Sequence, residues 1–377
     1  MIFHSTSSKP ILIVGNGIRS AGAKDLLLEF VKKTDIPVLT SMNGVDLIQD
    51  DLKIGFIGTH GNRIANTIVS QCDLVIAIGA RLGLRQVGRT TENFAPHAKI
   101  IRADIDEYEL ARSVKDDEEK YLIDAKDFLK QLIAEDIPKY TEWKNKCLEA
   151  KNILDNFDNE VGNKAIQKIS SMLPKNPIVS VDVGQHECWS AQSLHLKGQI
   201  GRILIGGGYG CMGCGLPWAI GGSVSLKAEG KDNTVYCIVG DGGLQMNIQE
   251  FETVAREKLP IKILVMNNKV LGKIWETQHK QHGGRFAETA ESGGYTVPDF
   301  EKVAQAYGIK AVTLSSYKEL DKYDGWLQDK EPCLLNIMLP IGTELSPKID
   351  FVTGIMKPDV SMNVKKQIIE ILGGSLS

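Results

Sequence analysis

An aspartate and an asparagine stand at the ends of two strand-like runs in the second half of the sequence. Asp241 follows the run 234–239 within a cluster of glycines, and Asn268 follows the run 261–266. The segment between the runs has apolar residues at helical spacing, at Ile248, Phe251, Val254 and Ala255. This pattern predicts a β-α-β unit whose strands are parallel neighbours joined by a right-handed crossover.

Because parallel neighbours end at the same edge of a sheet, the Asp241 carboxylate and the Asn268 amide are expected to converge. Oxygen ligands of this kind suit Mg²⁺, which usually keeps diphosphate oxygens and water in its remaining positions. Gly240, Gly242 and Gly243 would let the backbone approach a phosphate closely, and the following helix adds an electropositive N-terminus. The motifs together predict a diphosphate and magnesium site, although a β-turn and a polar loop would explain each one alone.

The composition is that of an ordinary globular protein. A length of 377 residues predicts about two domains, and a net charge of −3 gives no indication of a nucleic-acid partner. No apolar run reaches the length of about 18 residues that a membrane span needs. Residues 1–10 lack the basic and apolar regions of a signal peptide. Seven scattered cysteines fit a reducing compartment, so we expect a cytoplasmic protein.

Strand-like and helical runs alternate along the chain. In the first half the strand-like runs are 10–14, 37–41, 74–81 and 99–106, with helical runs near 21–33 and 63–71. In the second half they are 178–183, 234–239, 261–266, 309–313 and 332–338. The alternation predicts an α/β fold with two doubly wound parallel-sheet domains and ligands outside the carboxyl ends of the strands. The expected divisions are a first domain (1–135), a connector (136–165), a second domain (166–345) and a C-terminal tail (346–377).

The spacing of the first two motifs resembles a known signature. Gly240-Asp241-Gly242, then 24 residues, then Asn267-Asn268 is similar to the motif of thiamine diphosphate (ThDP) enzymes. Segments similar to 58–61, 79–85, 94–96 and 103–106 occur in this order in the middle domain of acetolactate synthase large subunits. The resemblance implies ThDP and Mg²⁺ as cofactors. It also implies a decarboxylating carboligase that acts on pyruvate or a similar 2-oxo acid.

The resemblance implies a role for each matching residue of the second domain. Asp241, the side chain of Asn268 and the main-chain oxygen of Val270 would hold Mg²⁺. The synthases often carry Glu in place of Val270, and a main-chain ligand tolerates that change. Met212 would lie between the two rings of the cofactor. The other expected cofactor contacts are Val183, Gly184, Gln185, His186, Gly213, Gly240, Gly242, Gly243 and Gly272.

Plainer interpretations of some of these residues stay open. A methionine in an apolar turn is more often core filler, and a histidine at a strand end could equally be structural. Cys211 and Cys214 form a CxxC motif that no second CxxC or histidine pair accompanies. We therefore do not expect a zinc site, and a redox role is the weaker interpretation. The polar segment 275–285 is either a lid over the substrate or a solvated loop.

In acetolactate synthases the middle domain holds FAD. The resemblance carries FAD contacts onto Gly15, Gly17, Thr40, Gly58, His60, Gly79, Arg81, Arg85 and Asp104. The synthases commonly read GARFDDR where this chain has Gly83 in place of an acidic residue. Two alternatives therefore stay open, a FAD site or a domain that keeps the fold and binds nothing. Gly15-Asn16-Gly17 alone is only a fragment of a dinucleotide motif.

The resemblance covers two of the three domains of a complete enzyme of this type. The pyrimidine-binding domain, which supplies the glutamate that activates the cofactor, has no counterpart in it, so no activating residue is predicted on this chain. A second copy in a homo-oligomer, or a separate pyrimidine-domain chain, is the expected partner. A catalytically silent protein that binds ThDP or FAD is the alternative. A simple flavin or nicotinamide oxidoreductase would leave the Asp241 and Asn268 motifs unexplained.

Overall fold

A computed structural model describes residues 2–3, 6–48, 52–198, 200–231, 233–349 and 355–374. The chain divides into two compact units. The first unit combines Met1–Asn159 with Ser346–Ser377, and the second is Glu160–Leu345. Among the helices in these described ranges, none has the length and apolar character needed to cross a membrane.

The first unit is built on one sheet. Its strands are β1 (Pro10–Val14), β2 (Val38–Thr40), β3 (Lys53–Phe56), β4 (Leu74–Ile78), β5 (Lys99–Asp104) and β6 (Glu119–Leu122). Its helices are α1 (Gly17–Ser20), α2 (Lys24–Thr34), α3 (Arg63–Gln71), α4 (Leu84–Val87), α5 (Glu107–Ala111), α6 (Ala125–Ala134) and α7 (Thr141–Leu154). The strands are all parallel in the order β3-β2-β1-β4-β5-β6. Every residue of β1 and β4 is buried, as expected for central strands covered on both faces.

Two strands of this sheet were missed in the sequence analysis. β3 reads Lys-Ile-Gly-Phe, and its lysine and glycine interrupt the apolar run by which a buried strand is recognised. β6 reads Glu-Lys-Tyr-Leu and alternates between exposed and half-buried residues because it is an edge strand. Both strands depend on pairing with a neighbour more than on their own apolar character.

The second unit contains six further strands. They are β7 (Ile178–Val181), β8 (Arg202–Ile205), β9 (Val235–Gly240), β10 (Ile261–Asn267), β11 (Lys310–Leu314) and β12 (Cys333–Met338). Its helices are α8 (Val161–Met172), α9 (Gln185–Ser193), α10 (Gly215–Ala228), α11 (Asp241–Met246), α12 (Phe251–Arg256), α13 (Gly272–Gln281), α14 (Phe300–Ala306) and α15 (Asp324–Gln328). The strands are parallel in the order β11-β12-β10-β9-β7-β8. The predicted fold class, α/β with two doubly wound parallel sheets, is confirmed.

The predicted β-α-β unit is also confirmed. β9 and β10 are parallel neighbours, with Met266 paired to Gly240, so Asp241 and Asn268 follow the same edge of the sheet. The connection is less regular than one helix, because α11 and α12 are separated by a short 3-10 turn over Ile248–Glu250. Phe251 and Val254 of α12 are buried against the sheet.

The segment after Leu345 belongs to the first unit. It contains an antiparallel pair, β13 (Lys348–Ile349) and β14 (Met356–Lys357), and a helix, α16 (Met362–Leu372). Ile368 and Leu372 of α16 are buried in the first core, against α7. The helix expected within the connector is α7, whose Trp143 indole donates to the Pro10 carbonyl at 3.0 Å. Both segments are therefore packed parts of the first unit.

Candidate functional site

A pocket of about 310 Å³ opens at the carboxyl edge of the second sheet. β7 and β9 are neighbours there, although α9, β8 and α10 come between them in the chain. The pocket therefore lies where the winding of the sheet reverses, which is the usual ligand position in such folds. Three helices, α9, α11 and α13, begin at the pocket lining and place helix N-termini beside it.

The pocket brings most of the predicted cofactor contacts together. Those that line it are Val183, Gly184, Gln185, His186, Met212, Gly240, Asp241, Gly242, Gly243, Asn268, Val270 and Gly272. Gly213 does not line it, but Gly213 supports Met212 through the turn described below. The roles assigned to these residues by resemblance stay predictions.

Asp241 begins α11 and is 2% exposed. Its carboxylate accepts hydrogen bonds from the Lys269 main-chain N–H at 2.7 Å and from the Tyr295 hydroxyl at 2.8 Å. Burial raises the pKa of Asp241 to about 6, although both hydrogen bonds act in the opposite direction. A nearby cation would favour the charged carboxylate, so this environment fits a metal ligand.

The Asn268 amide is held in one orientation. Its Nδ2 atom donates to Oε1 of Gln185 at 3.2 Å, and Gln185 donates in turn to the Thr343 carbonyl at 2.8 Å. Oδ1 accepts a hydrogen bond from the Val270 main-chain N–H at 3.3 Å, and its second lone pair is the one left for a cation. A carboxylate, an amide oxygen and a carbonyl oxygen form a hard donor set that fits Mg²⁺. In the described part of the chain, no three His, Cys, Asp or Glu side chains cluster as an alternative metal site.

His186 is buried in the pocket wall. Its imidazole hydrogen-bonds the Asp182 main chain, and no described residue contacts its Nε2 atom as a hydrogen-bond partner. Burial, assisted by the charge of Lys273, lowers the pKa of His186 to about 3. The ring is therefore neutral at ordinary pH. An unpartnered buried nitrogen indicates that a polar ligand atom completes this wall.

The glycines around Asp241 have a reason beyond phosphate approach. A Cβ atom at Gly240 would lie 2.9 Å from the His186 ring. A Cβ atom at Gly243 would overlap the Asp182 carboxylate. These glycines were expected to let a phosphate approach the backbone, and the structure shows that they also make room for two buried side chains.

Asp182 was missed in the sequence analysis, although it is the one charged residue in the apolar run 178–183. It is fully buried and accepts hydrogen bonds from the Gly213 N–H at 3.0 Å and the Gly215 N–H at 3.3 Å. The Asn247 amide donates to the Gly213 carbonyl from the other side at 2.7 Å. These contacts fix the turn that presents Met212, whose side chain is 43% exposed.

Tyr295 and Lys273 were also missed. Tyr295 is separated from Asp241 by 54 residues, so no local pattern links them. Lys273 directly follows the predicted contact Gly272, and this adjacency was a usable signal. Cys211 and Cys214 flank Met212, one exposed and one half-buried, and their thiols hydrogen-bond each other.

Much of the segment expected to be a lid or a solvated loop is the helix α13. Its Glu276 is buried and accepts hydrogen bonds from the Leu345 N–H at 3.3 Å and from Lys280 at 2.9 Å. Trp275 stacks on His279 and Phe286, with ring centroids 5.1 and 5.4 Å apart. The hydrogen bonds of Glu276 thus hold this segment in place, and Trp275 adds an aromatic stack.

In the first unit, four of the nine residues expected to contact FAD line one cavity. Gly17, Gly79, Arg81 and Asp104 line a cavity of about 490 Å³ at the carboxyl ends of β4 and β5. Gly58, His60 and Arg85 do not line it, although Thr59 brings their segments together by donating to the Arg85 carbonyl at 2.8 Å. Gly15 packs so closely on Gly79 that a Cβ atom would collide with the Gly79 carbonyl. The hydroxyl of Thr40 is buried and finds no partner among the described residues.

Comparison with protein families agrees with this arrangement. Residues 182–337 match the thiamine pyrophosphate enzyme C-terminal TPP binding domain, thiamine pyrophosphate being another name for ThDP. Residues 5–132 match the thiamine pyrophosphate enzyme central domain. The chain belongs to the thiamine pyrophosphate enzyme family.

Among the curated relatives of this member of the family are several acetolactate synthases. The probable acetolactate synthase large subunit of Methanocaldococcus jannaschii is 34% identical over 96% of this chain and 63% of its own length. The acetolactate synthase large subunit of Porphyra purpurea is 33% identical over 85% of this chain and 56% of its own length. The acetolactate synthase isozyme 2 large subunit of Escherichia coli is 32% identical over 88% of this chain and 60% of its own length. The chain thus spans 56–63% of the length of these relatives.

Proposed function

We propose that this chain carries the diphosphate and metal half of a ThDP- and Mg²⁺-dependent carboligase of the acetolactate synthase type. The observation that carries the proposal is the pocket in which Asp241, Asn268 and Val270 converge beside the N-terminus of α13. The names of the relatives support pyruvate, or a similar 2-oxo acid, as the substrate.

Each polar group of the pocket has a separate proposed role. Asp241, Asn268 and the Val270 carbonyl would hold the metal, and Gln185 fixes the orientation of the Asn268 amide by accepting from its Nδ2 atom. Asp182 holds the turn that carries Met212, and Met212 would contact the rings of the cofactor. When bound, ThDP supplies the electron sink for decarboxylation of the 2-oxo acid, and the protein contributes orientation and exclusion of water.

We also propose that the glutamate that activates the cofactor comes from a pyrimidine-binding domain. The family profiles match a central and a C-terminal domain, and the relatives extend beyond the matched region. A second copy of a longer protein or a separate chain would supply this domain. The alternative is a catalytically silent protein that binds the cofactor for assembly or regulation.

Calorimetry with ThDP and Mg²⁺ tests the binding half of this proposal. We expect the wild-type chain to bind ThDP only when Mg²⁺ is present. Asp241→Ala should weaken that binding at least about 100-fold, about 3 kcal/mol, because a direct metal ligand is lost. Glu252→Ala, which removes an exposed carboxylate on α12, serves as the control and should bind normally. Equal binding by wild type and Asp241→Ala would remove the metal site from the proposal.

Reconstitution tests the catalytic half. The chain is mixed with the pyrimidine-binding domain of an acetolactate synthase, and acetolactate formation from pyruvate is measured. Turnover that depends on both components supports the carboligase. Absence of turnover with every 2-oxo acid tried, while ThDP still binds, would favour the silent protein instead.

We propose FAD as a second ligand of the chain, held by the first unit. The cavity beside Gly17, Gly79 and Asp104, and the unpartnered Thr40 hydroxyl close to the end of β2, support this assignment. Titration with FAD should quench flavin fluorescence, and Gly17→Val should prevent the quenching because the side chain would overlap Gly79. If wild type and Gly17→Val leave the fluorescence unchanged alike, the first unit keeps the fold without the flavin.

A further inference from the structure

Lys273 stands out among the residues that line the pocket of the second unit. It lies in the first turn of α13, directly after Gly272, and is half-buried. Of the described residues that line this pocket, Lys273 is the only lysine or arginine, and Asp241 is the only carboxylate. The pocket therefore contains one fixed positive charge besides any metal ion.

The Lys273 ammonium makes no hydrogen bond or ion pair with any described residue. Lys280, on the same helix, instead pairs with Glu276 at 2.9 Å and with Glu344. The one carboxylate that lines the pocket is already engaged, since Asp241 accepts hydrogen bonds from the Lys269 main-chain N–H and the Tyr295 hydroxyl. A half-buried ammonium with no carboxylate beside it is free to bind an anionic ligand in this pocket.

The surroundings of Lys273 favour a negative ligand. The N-termini of α9 and α13 lie at the pocket, and each contributes partial positive charge. Lys273 is close enough to His186 for its charge to oppose protonation of the ring. The unpartnered Nε2 atom of His186 also belongs to this wall. No acidic side chain besides Asp241 balances these groups among the described lining residues.

We propose that the Lys273 ammonium is an anion ligand of this pocket and binds negatively charged oxygen of the cofactor or substrate. The oxygen belongs either to the diphosphate of the cofactor or to the carboxylate of the 2-oxo acid, which offer the ammonium the same chemistry. The inference rests on the proposed function for the identity of these ligands. It goes beyond the metal and glycine contacts by assigning Lys273 as a side chain that binds an anionic oxygen directly.

The test compares Lys273→Met, which keeps the length and removes the charge, with Lys273→Arg, which keeps the charge. Lys227→Met is the control, because Lys227 is an exposed lysine near the end of α10, outside this pocket, and the net charge changes equally. Calorimetry is run with Mg²⁺ and inorganic diphosphate, with Mg²⁺ and ThDP, and with pyruvate added to the ThDP-loaded chain. Thermal denaturation checks that each variant is folded.

If Lys273 binds the diphosphate, Lys273→Met should weaken the binding of both inorganic diphosphate and ThDP about 10- to 100-fold. If it binds the carboxylate, the two diphosphate titrations stay unchanged and only pyruvate binding weakens. Lys273→Arg should recover most of the affinity in either case. Binding by Lys273→Met within twofold of wild type in all three titrations would overturn the proposal.

Failure of the proposed function gives a different pattern. A wild-type chain that does not bind ThDP contradicts that function, but inorganic diphosphate still reports on Lys273 alone. Weaker binding of inorganic diphosphate to Lys273→Met then supports the anion site without the cofactor. Absence of inorganic diphosphate and ThDP binding in the wild type would overturn both.

Discussion

At the scale of single residues, the proposed metal ligand Asp241 depends on a partner far away in the sequence. Tyr295 donates to Asp241 at 2.8 Å and also contacts Gln245 at 3.3 Å. Such a partner orients a ligand without touching the metal. Burial, together with the Asp241 charge, raises the pKa of Tyr295, so the hydroxyl stays protonated and remains a donor.

Tyr295→Phe should therefore lower the affinity for Mg²⁺ in the presence of ThDP by about 10-fold, the usual effect of losing a group that orients a metal ligand. The measurement is a Mg²⁺ titration of the ThDP-containing chain. Tyr307→Phe, which removes a hydroxyl from another half-buried tyrosine of the second unit, is the control and should be neutral. Unchanged Mg²⁺ affinity in Tyr295→Phe would show that Asp241 is positioned without it.

Gly243→Ala tests the close packing beneath the pocket. The added methyl group would overlap the Asp182 carboxylate, so we expect a loss of about 2–3 kcal/mol in the free energy of unfolding, together with weaker ThDP binding. Gly221→Ala is the matched control on α10, since its Cβ would meet nothing within 4 Å. It should stabilise the protein by up to about 1 kcal/mol through helix propensity. Chemical denaturation of both variants measures the contrast, and equal stabilities would contradict it.

At the scale of elements, Asp73 ties the segment before β1 to the turn before β4. Its carboxylate accepts hydrogen bonds from the Ser8 N–H at 2.7 Å, the Lys9 N–H at 2.9 Å and the Ser7 hydroxyl. Burial raises the pKa of Asp73, but these hydrogen bonds outweigh it, so the pKa lies below its usual value. Because the folded pKa is lowered, the stabilisation is present above the unfolded pKa of about 3.9 and is lost as the pH falls through the folded pKa.

Asp73→Asn should reduce the free energy of unfolding by about 1 kcal/mol at pH 7, a modest amount because the carboxylate is partly exposed. The difference from wild type should shrink as the pH is lowered below about 4. Denaturant unfolding at several pH values measures it. Asp127→Asn, an exposed member of an ion pair on α6, should show a much smaller effect at every pH. A difference for Asp73→Asn that does not change with pH would contradict the account.

At the scale of the whole molecule, the chain leaves the first unit after Asn159 and returns to it at Ser346. The returning helix α16 buries Ile368 and Leu372, which are 3% and 1% exposed. The first core is therefore completed by residues that are more than 200 positions away from α7 in the sequence.

Ile368→Ala should cost about 2–4 kcal/mol of unfolding free energy, the usual range for truncating a buried isoleucine. Hydrogen exchange followed by mass spectrometry should show lost protection in α16 and α7. Met362→Ala, at an exposed position of the same helix, controls for changes in helix propensity and should be nearly neutral. If α7 keeps its protection in Ile368→Ala, α16 is peripheral to the first core.

Local patterns were sufficient for most of the architecture. β1, β4 and β9 are almost entirely apolar, and β10 is apolar from Ile263 to Met266, because both faces of a parallel sheet are covered. Such runs are visible in the sequence. β3, β6 and β8 were missed because a short, edge or polar strand depends on its neighbour more than on its own composition. The segment after Leu345 carried no signal that assigned it to the first unit, because that assignment depends on long-range packing.

The sequence by itself determined the family, the fold class and the two ends of the predicted magnesium site. Asp241 and Asn268 follow neighbouring strands, and the rule that parallel strands end together places them at one edge. Only the tertiary structure showed that Gln185 orients Asn268, that Tyr295 holds Asp241, and that Asp182 fixes the turn before α10. These contacts join residues 31 to 83 positions apart, and hydrogen bonds of that kind depend on the sheet to bring distant strand ends together.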